Sequence, residues 1–84
     1  DVVLFFRASW CPTCRALASD LEMNRSQIPQ GLTILDVSYD TETELKQKYG
    51  VTYQHTLVQV NAEGALLAKW SGSLDLDALI SQVQ

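Results

Sequence analysis

Eighty-four residues suffice for one domain, residues 1–84, with a core of about two layers. Hydrophobic residues make up 46% of the chain and charged residues 19%, and two cysteines can form only one disulfide, so apolar packing has to hold the fold. A net charge of −4 with scattered Lys and Arg argues against a nucleic-acid partner, and no apolar stretch nears the roughly 20 residues of a membrane helix.

The chain opens on Asp1, without Met, and enters an apolar run at once. That start reads as a domain trimmed from a longer protein, and the expected setting is bacterial, extracytoplasmic and tethered. Val2-Val3-Leu4-Phe5-Phe6 is a short apolar run, β-branched and aromatic, that suits a strand buried on both faces. From residue 11 to about 25 the period changes. Cys14, Leu17, Ala18 and Leu21 fall on one helical stripe, and Pro12 suits the first turn. Pro29 and Gly31 break the chain, and Leu32 to Val37 reads as a second buried strand interrupted by Asp36.

Thr41-Glu42-Thr43-Glu44 has the capping-box pattern, with Thr41 as the cap. Glu42 with Lys46, and Glu44 with Lys48, are i, i+4 pairs in the favoured order, and Gly50 suits a left-handed helix end. Thr56 to Val60 is a third strand, Asn61 to Gly64 a hairpin turn and Ala65 to Trp70 a fourth strand. Ser71-Gly72-Ser73 breaks and caps. Leu76, Leu79, Ile80 and Val83 then mark a last helix, with Asp75 and Asp77 near its positive end. The order is β-α-β-α-β-β-α. Its first half is a parallel βαβ unit, and helices on both faces of a four-stranded sheet would bury these runs.

Trp10-Cys11-Pro12-Thr13-Cys14 holds both cysteines, and a redox pair, half of a metal site and an inert staple all use such spacing. Cys11 falls where a buried strand ends and a helix begins. Unpaired N–H groups and the helix dipole there stabilise a thiolate, the attacking species in disulfide exchange. Cys14 lies one turn on, along the inward stripe, and is expected to be more buried and less acidic than an exposed, nucleophilic Cys11. A ring of four residues staples weakly, and a staple has no need of that junction. The redox reading is preferred.

The segment "FFRASWCPTCR" at 5–15 resembles the active-site segment of the thioredoxin family. The likeness continues through "YGVTYQHTLVQV" at 49–60 and "WSGSLDLDALI" at 70–80, and so covers essentially the whole chain. It implies an α/β, thioredoxin-like fold whose mixed four-stranded sheet runs in the order 2-1-3-4, without the family's extra first strand and helix. It also implies a thiol–disulfide oxidoreductase in which Cys11 attacks and Cys14 resolves. No cofactor is implied. The partners would be protein thiols and disulfides and a separate redox partner, with the chain acting as a monomer.

Three positions depart from the family pattern. Between the cysteines stands Pro12-Thr13 where thioredoxin reductants have Gly-Pro, and a proline at that place is more like glutaredoxins and the periplasmic oxidant DsbA. The direction of electron flow therefore stays open. Phe5 stands where the family buries an acid, and Asp36 where a neighbouring strand carries a lysine, so Asp36 is a candidate acceptor for the Cys14 proton. The alternative is a solvated Asp at a strand end. His55 stands where the family has a cis-proline facing the CxxC, and a trans Gln54–His55 bond is expected.

His55 admits three roles: a cation that favours the Cys11 thiolate, a third metal ligand beside Cys11 and Cys14, or a surface histidine without chemistry. In the family the backbone before that proline pairs with substrate as an added strand, and the resemblance implies this role for Gln54, while Trp10 either shields the site and contacts substrate or simply packs at the helix start. The rival function is a Cu(I) or zinc module built on Cys11, Cys14 and His55, which is one ligand short of a closed tetrahedral zinc site.

Overall fold

Residues 2–84 are described by a computed structural model, and Asp1 lies outside the described residues. Strands β1 (Val2–Arg7), β2 (Thr33–Ser38), β3 (Thr56–Val60) and β4 (Leu66–Ser71) form one sheet in the order β2-β1-β3-β4. Strand β1 runs parallel to β2 and antiparallel to β3, and β3 pairs with β4 as a hairpin with an irregularity between Gln59 and Val60. Helices α1 (Pro12–Met23), α2 (Thr43–Tyr49) and α3 (Leu76–Gln82) complete the expected element order.

The period-two alternation of a strand divides the core. Val3, Phe5 and Leu57 point to one face, where they pack with Leu17 of α1 and Leu79 of α3. Leu4, Phe6, Val58 and Val60 point to the other, against Tyr49 and Leu45 of α2. The central strands β1 and β3 are therefore buried on both sides, as the continuous apolar run of β1 foretells. Strand β2 is not. Leu35, Asp36 and Ser38 are exposed and only Val37 is buried, because β2 is an edge with a single neighbour. An apolar hexamer reads the same in sequence at an edge and at a centre.

Capping differs from expectation at two helices. Helix α2 starts after Glu42, which occupies the N-cap without a side-chain bond, and the Thr41 capping box does not form. The Glu42 N–H already donates to the Ser38 carbonyl at 3.0 Å, closing the turn out of β2 before the helix begins. The i, i+4 charge pairs are also absent among the described residues. Lys46 instead sits over the Tyr39 ring at 4.2 Å and Lys48 over the Tyr49 ring at 5.3 Å. At α3 the cap is Asp75, not the Ser71–Ser73 stretch, and its carboxylate accepts from Ala78 N–H at 2.8 Å.

Gly50 does end α2 in the left-handed region, at φ 66°. Lys69 of β4 reaches over it to the carbonyls of Tyr49 and Gly50, at 3.3 and 3.2 Å, and places a cation at the negative helix end. Asn61 closes the hairpin, its side-chain oxygen accepting from the N–H groups of Glu63 and Ala65.

Two partly buried ties fix α3 and the segment after it to the rest. Asp20 of α1 accepts from Leu76 N–H at 2.8 Å. Gln59, fully buried in β3, both donates to and accepts from the backbone of Gln84, at 3.3 and 2.7 Å. No described helix is long and apolar enough to cross a membrane.

Candidate active site

The site lies where β1 hands over to α1. Pro12 supplies the first helical residue, so Cys11 becomes the N-cap with extended backbone (φ −92°, ψ 112°). An N-cap side chain normally accepts a hydrogen bond from the first turn, and here the acceptor is sulfur: Cys14 N–H donates to Cys11 Sγ at 3.2 Å. The Thr13 hydroxyl lies 3.3 Å from the same sulfur. Both cysteines are free thiols.

Cys11 was expected to be exposed, and it is not. Its fractional exposure is 2%, against 0% for Cys14, because both belong to the cluster of Phe5, Ala8 and Leu17. The two thiols differ in acidity instead. Burial by itself raises the Cys11 pKa, but hydrogen bonds from the side chains of Cys14 and Thr13, and from their backbone N–H groups, outweigh it and leave the value lowered. Cys14 is pushed up to about 11, by burial first and then by its hydrogen bond to Cys11 and the charge that Cys11 would carry.

His55 is buried, so the surface reading is excluded. Its peptide bond is trans as expected, since no described bond is cis. Its backbone is left-handed, with φ 57°, at a cost of about 1–3 kcal/mol for a residue with a Cβ. Two hydrogen bonds hold it there, from His55 N–H to the Phe6 carbonyl and from Gly72 N–H to the His55 carbonyl. The ring packs against Phe5 with centroids 5.7 Å apart. Nε2 lies 2.6 Å from the Ser73 carbonyl, which can only accept, so Nε2 carries a proton. Nδ1 lies 2.7 Å from the Thr13 hydroxyl.

The ligand atoms of Cys11, Cys14 and His55 lie within 4.8 Å of one another, as a metal site would require. The arrangement does not favour one. Both ring nitrogens are already committed, Nδ1 could bind a metal only by displacing Thr13, and the sequence holds no further Cys or His to complete a tetrahedral set.

Asp36 stands opposite Phe5 in the β1–β2 register, so the carboxylate does sit on the neighbouring strand. It is 57% exposed, however, and its oxygen pairs with Arg7 at 3.2 Å. The groups that act on the Cys14 thiol are Cys11 and the backbone of Ala8 and His55. The proton role given to Asp36 therefore has no contact to work through, and an edge strand with water on one side explains its exposure.

Trp10 is 56% exposed beside Cys11, with its indole N–H donated to Asp40 at 3.3 Å. Gln54 is half-buried next to His55. Sequence reasoning weighed Thr13 only as part of the dipeptide between the cysteines, not for its hydroxyl, and it missed Ser73. Ser73 is buried, and besides holding His55 it accepts from the indole of Trp70 at 3.0 Å. Only the place of Thr13 between the cysteines could have drawn notice to its hydroxyl.

A sheet of this order, with a dithiol at the junction of its first strand and first helix, defines a thioredoxin-like domain. The Thioredoxin family model matches residues 1–84, and the chain belongs to the thioredoxin family. It is 30% identical over 82 residues to a thioredoxin of Chlamydia trachomatis, covering 98% of this chain and 78% of that protein. It is 26% identical over 88 residues to the protein disulfide isomerase-like 1-2 of Oryza sativa, but spans only 17% of that relative. Among solved structures, the thioredoxin of Malassezia sympodialis superposes with a TM-score of 0.76 at 26% identity, covering 95% of this chain and 70% of that one. The relatives come from plant, fungal and bacterial sources, so they do not support a bacterial origin.

Proposed function

We propose that this protein is a thiol–disulfide oxidoreductase that exchanges its Cys11–Cys14 pair with disulfides of other proteins. The observation that carries the reading is the Cys11 sulfur at the N-cap of α1, receiving the Cys14 N–H and set apart in acidity from its neighbour. The Cys11 thiolate attacks one sulfur of a substrate disulfide. That bond breaks, a mixed disulfide forms, and one substrate thiolate leaves. Cys14 then loses its proton and attacks Cys11 Sγ. The pair becomes oxidised, the second substrate thiol is released, and two electrons have passed to the substrate. The same steps in reverse oxidise a substrate dithiol.

The acidity of Cys14 times the second step. After burial, what holds its pKa high is the hydrogen bond to Cys11 and the Cys11 charge. Both vanish once Cys11 is tied up in the mixed disulfide, so Cys14 becomes easier to ionise when it is needed. One copy of the chain supplies both sulfurs. Trp10, next to Cys11 in the chain, and Gln54, next to His55, are the surfaces offered to an extended substrate, and a separate redox partner restores the pair.

The test is catalysed reduction of a protein disulfide under a thiol reductant, with Cys11→Ser and Cys14→Ser beside the parent. Cys11→Ser should abolish turnover, and Cys14→Ser should accumulate a mixed disulfide visible by mass. Absence of any mixed disulfide would overturn the reading. The reduction potential then sets the direction: about −270 mV is that of a reductant such as thioredoxin, and about −120 mV that of an oxidant such as DsbA.

A further inference from the structure

We propose that the Thr13 hydroxyl relays the Cys11 proton to His55, so that a histidine 42 residues away governs how readily the attacking sulfur ionises. The inference rests on the exchange chemistry above, but it can be read without turnover.

The geometry is a chain of three contacts. Cys11 Sγ lies 3.3 Å from Thr13 Oγ1, which lies 2.7 Å from His55 Nδ1, and His55 Nε2–H points at the Ser73 carbonyl at 2.6 Å. In the thiol state the Cys11 S–H donates to Thr13 Oγ1 and the Thr13 O–H donates to Nδ1, which has a free lone pair because Nε2 holds the proton. In the thiolate state each proton has moved one place. The S–H bond is broken, Thr13 has received that proton and given its own to Nδ1, and an N–H bond is formed. The thiolate then accepts from the Thr13 hydroxyl and from Cys14 N–H, while the imidazolium donates to Thr13 and Ser73. No group is left unpaired in either state, and the summed charge is unchanged.

The surroundings make the two charges depend on each other. Phe5 of β1 packs against the ring, and Phe6 and Gly72 hold its backbone without adding charge. Cys11 and Cys14 at the start of α1 are the titratable groups facing it. Asp75, in the loop that supplies Ser73, is committed to Ala78 N–H. Neither ion pair among the described residues, Arg7–Asp36 or Arg25–Glu22, involves the ring. The counter-charge of a protonated His55 is thus the Cys11 thiolate itself. The left-handed backbone at position 55 is a separate sign, since such strain persists where surrounding structure holds a side chain for a purpose.

Thr13 touches the reacting sulfur, and His55 is a positioning residue acting through it. The test compares the parent, Thr13→Val, Thr13→Ser, His55→Gln and the Thr13→Val/His55→Gln double variant, all reduced. Thiolate absorbance is followed against pH, and the nitrogen shifts of the His55 ring are followed in the parent. Thr13→Val keeps the shape of an exposed side chain and removes only the hydroxyl. It should cut the thiolate fraction at neutral pH roughly tenfold, as loss of a hydrogen bond to a charged group does. Thr13→Ser should restore most of it. The double variant should be no worse than either single, and the parent's ring should gain its proton as the thiolate forms.

A Thr13→Val thiolate curve within twofold of the parent, or a thiolate that forms with no change at the ring, overturns the relay. Should His55→Gln fail to fold, the Thr13 pair and the ring shifts decide. A shifted thiolate curve without mixed disulfide in Cys14→Ser keeps the relay and removes the enzyme reading, and the opposite pattern does the reverse.

Discussion

Raising the pH should destabilise the reduced protein more than the oxidised one, and Cys14 fixes by how much. In the fold its pKa rises from 9.0 to about 11, chiefly because the buried thiol resists ionisation. The folded state therefore holds this proton more tightly than the unfolded chain. The resulting stability is fully present below pH 9 and is lost as the pH climbs through about 11. A difference of that size corresponds to roughly 3 kcal/mol, a large share of the 5–15 kcal/mol typical of a domain.

Cys11 acts in the opposite sense. Its lowered pKa contributes stability above the ordinary thiol range and loses it on acidification. Alkaline loss thus belongs to Cys14. Urea unfolding of the reduced and the oxidised protein, at steps from about pH 8 to about pH 11, isolates the two thiols, because Lys and Tyr titrate in both forms while only the reduced form has thiols. With a slope of about 1 kcal/mol per molar urea, the Cys14 loss should lower the reduced midpoint by about 2 M relative to the oxidised one by about pH 11, offset by what Cys11 still gains up to about pH 9. Reduced Cys14→Ala should show no such fall. If the two forms of the parent kept a constant gap across the window, the account of Cys14 as a buried, high-pKa thiol would be wrong.

Replacing Gln59 by Ala removes both bonds to Gln84, and should cost about 1–3 kcal/mol in urea unfolding; a loss below about 0.5 kcal/mol would deny that the tie holds α3. Asp75→Ala deletes the side-chain cap of α3 and should lower stability by about 1 kcal/mol on the same assay. Asp36→Ala breaks only an exposed pair with Arg7, so stability should stay within about 0.5 kcal/mol of the parent. The pH profile of its exchange rate should also match the parent's, whereas a flattened profile would return the proton role to Asp36.

Much of the fold was legible because local signals agreed with one another. Thr56 to Val60 is a fully buried strand with the bounds expected from sequence, and Gly50 and the Asn61–Gly64 turn stand where backbone chemistry demands them. Errors arose where a local pattern had a tertiary rival. The Thr41 box lost to a turn bond between Glu42 and Ser38, and the two lysines of α2 went to aromatic faces instead of glutamates. Strand β2 has the composition of a core strand and the position of an edge. Within the site, the sulfurs and their unequal acidity follow from the strand-to-helix junction. The burial of His55 does not, because it depends on Thr13 and Ser73, each distant in sequence and unremarkable in type.

The bond between Thr13 and His55 also limits how this domain can be re-engineered. The dipeptide between paired cysteines invites grafting as an independent cassette, but here one of its two members is half of a long-range contact. Transplanting a Gly-Pro insert would remove the hydroxyl and strand a buried ring nitrogen, at a cost of about 1–3 kcal/mol that the graft itself would not reveal. Positions 13 and 55 act as one unit, and a change at either should call for a matching change at the other.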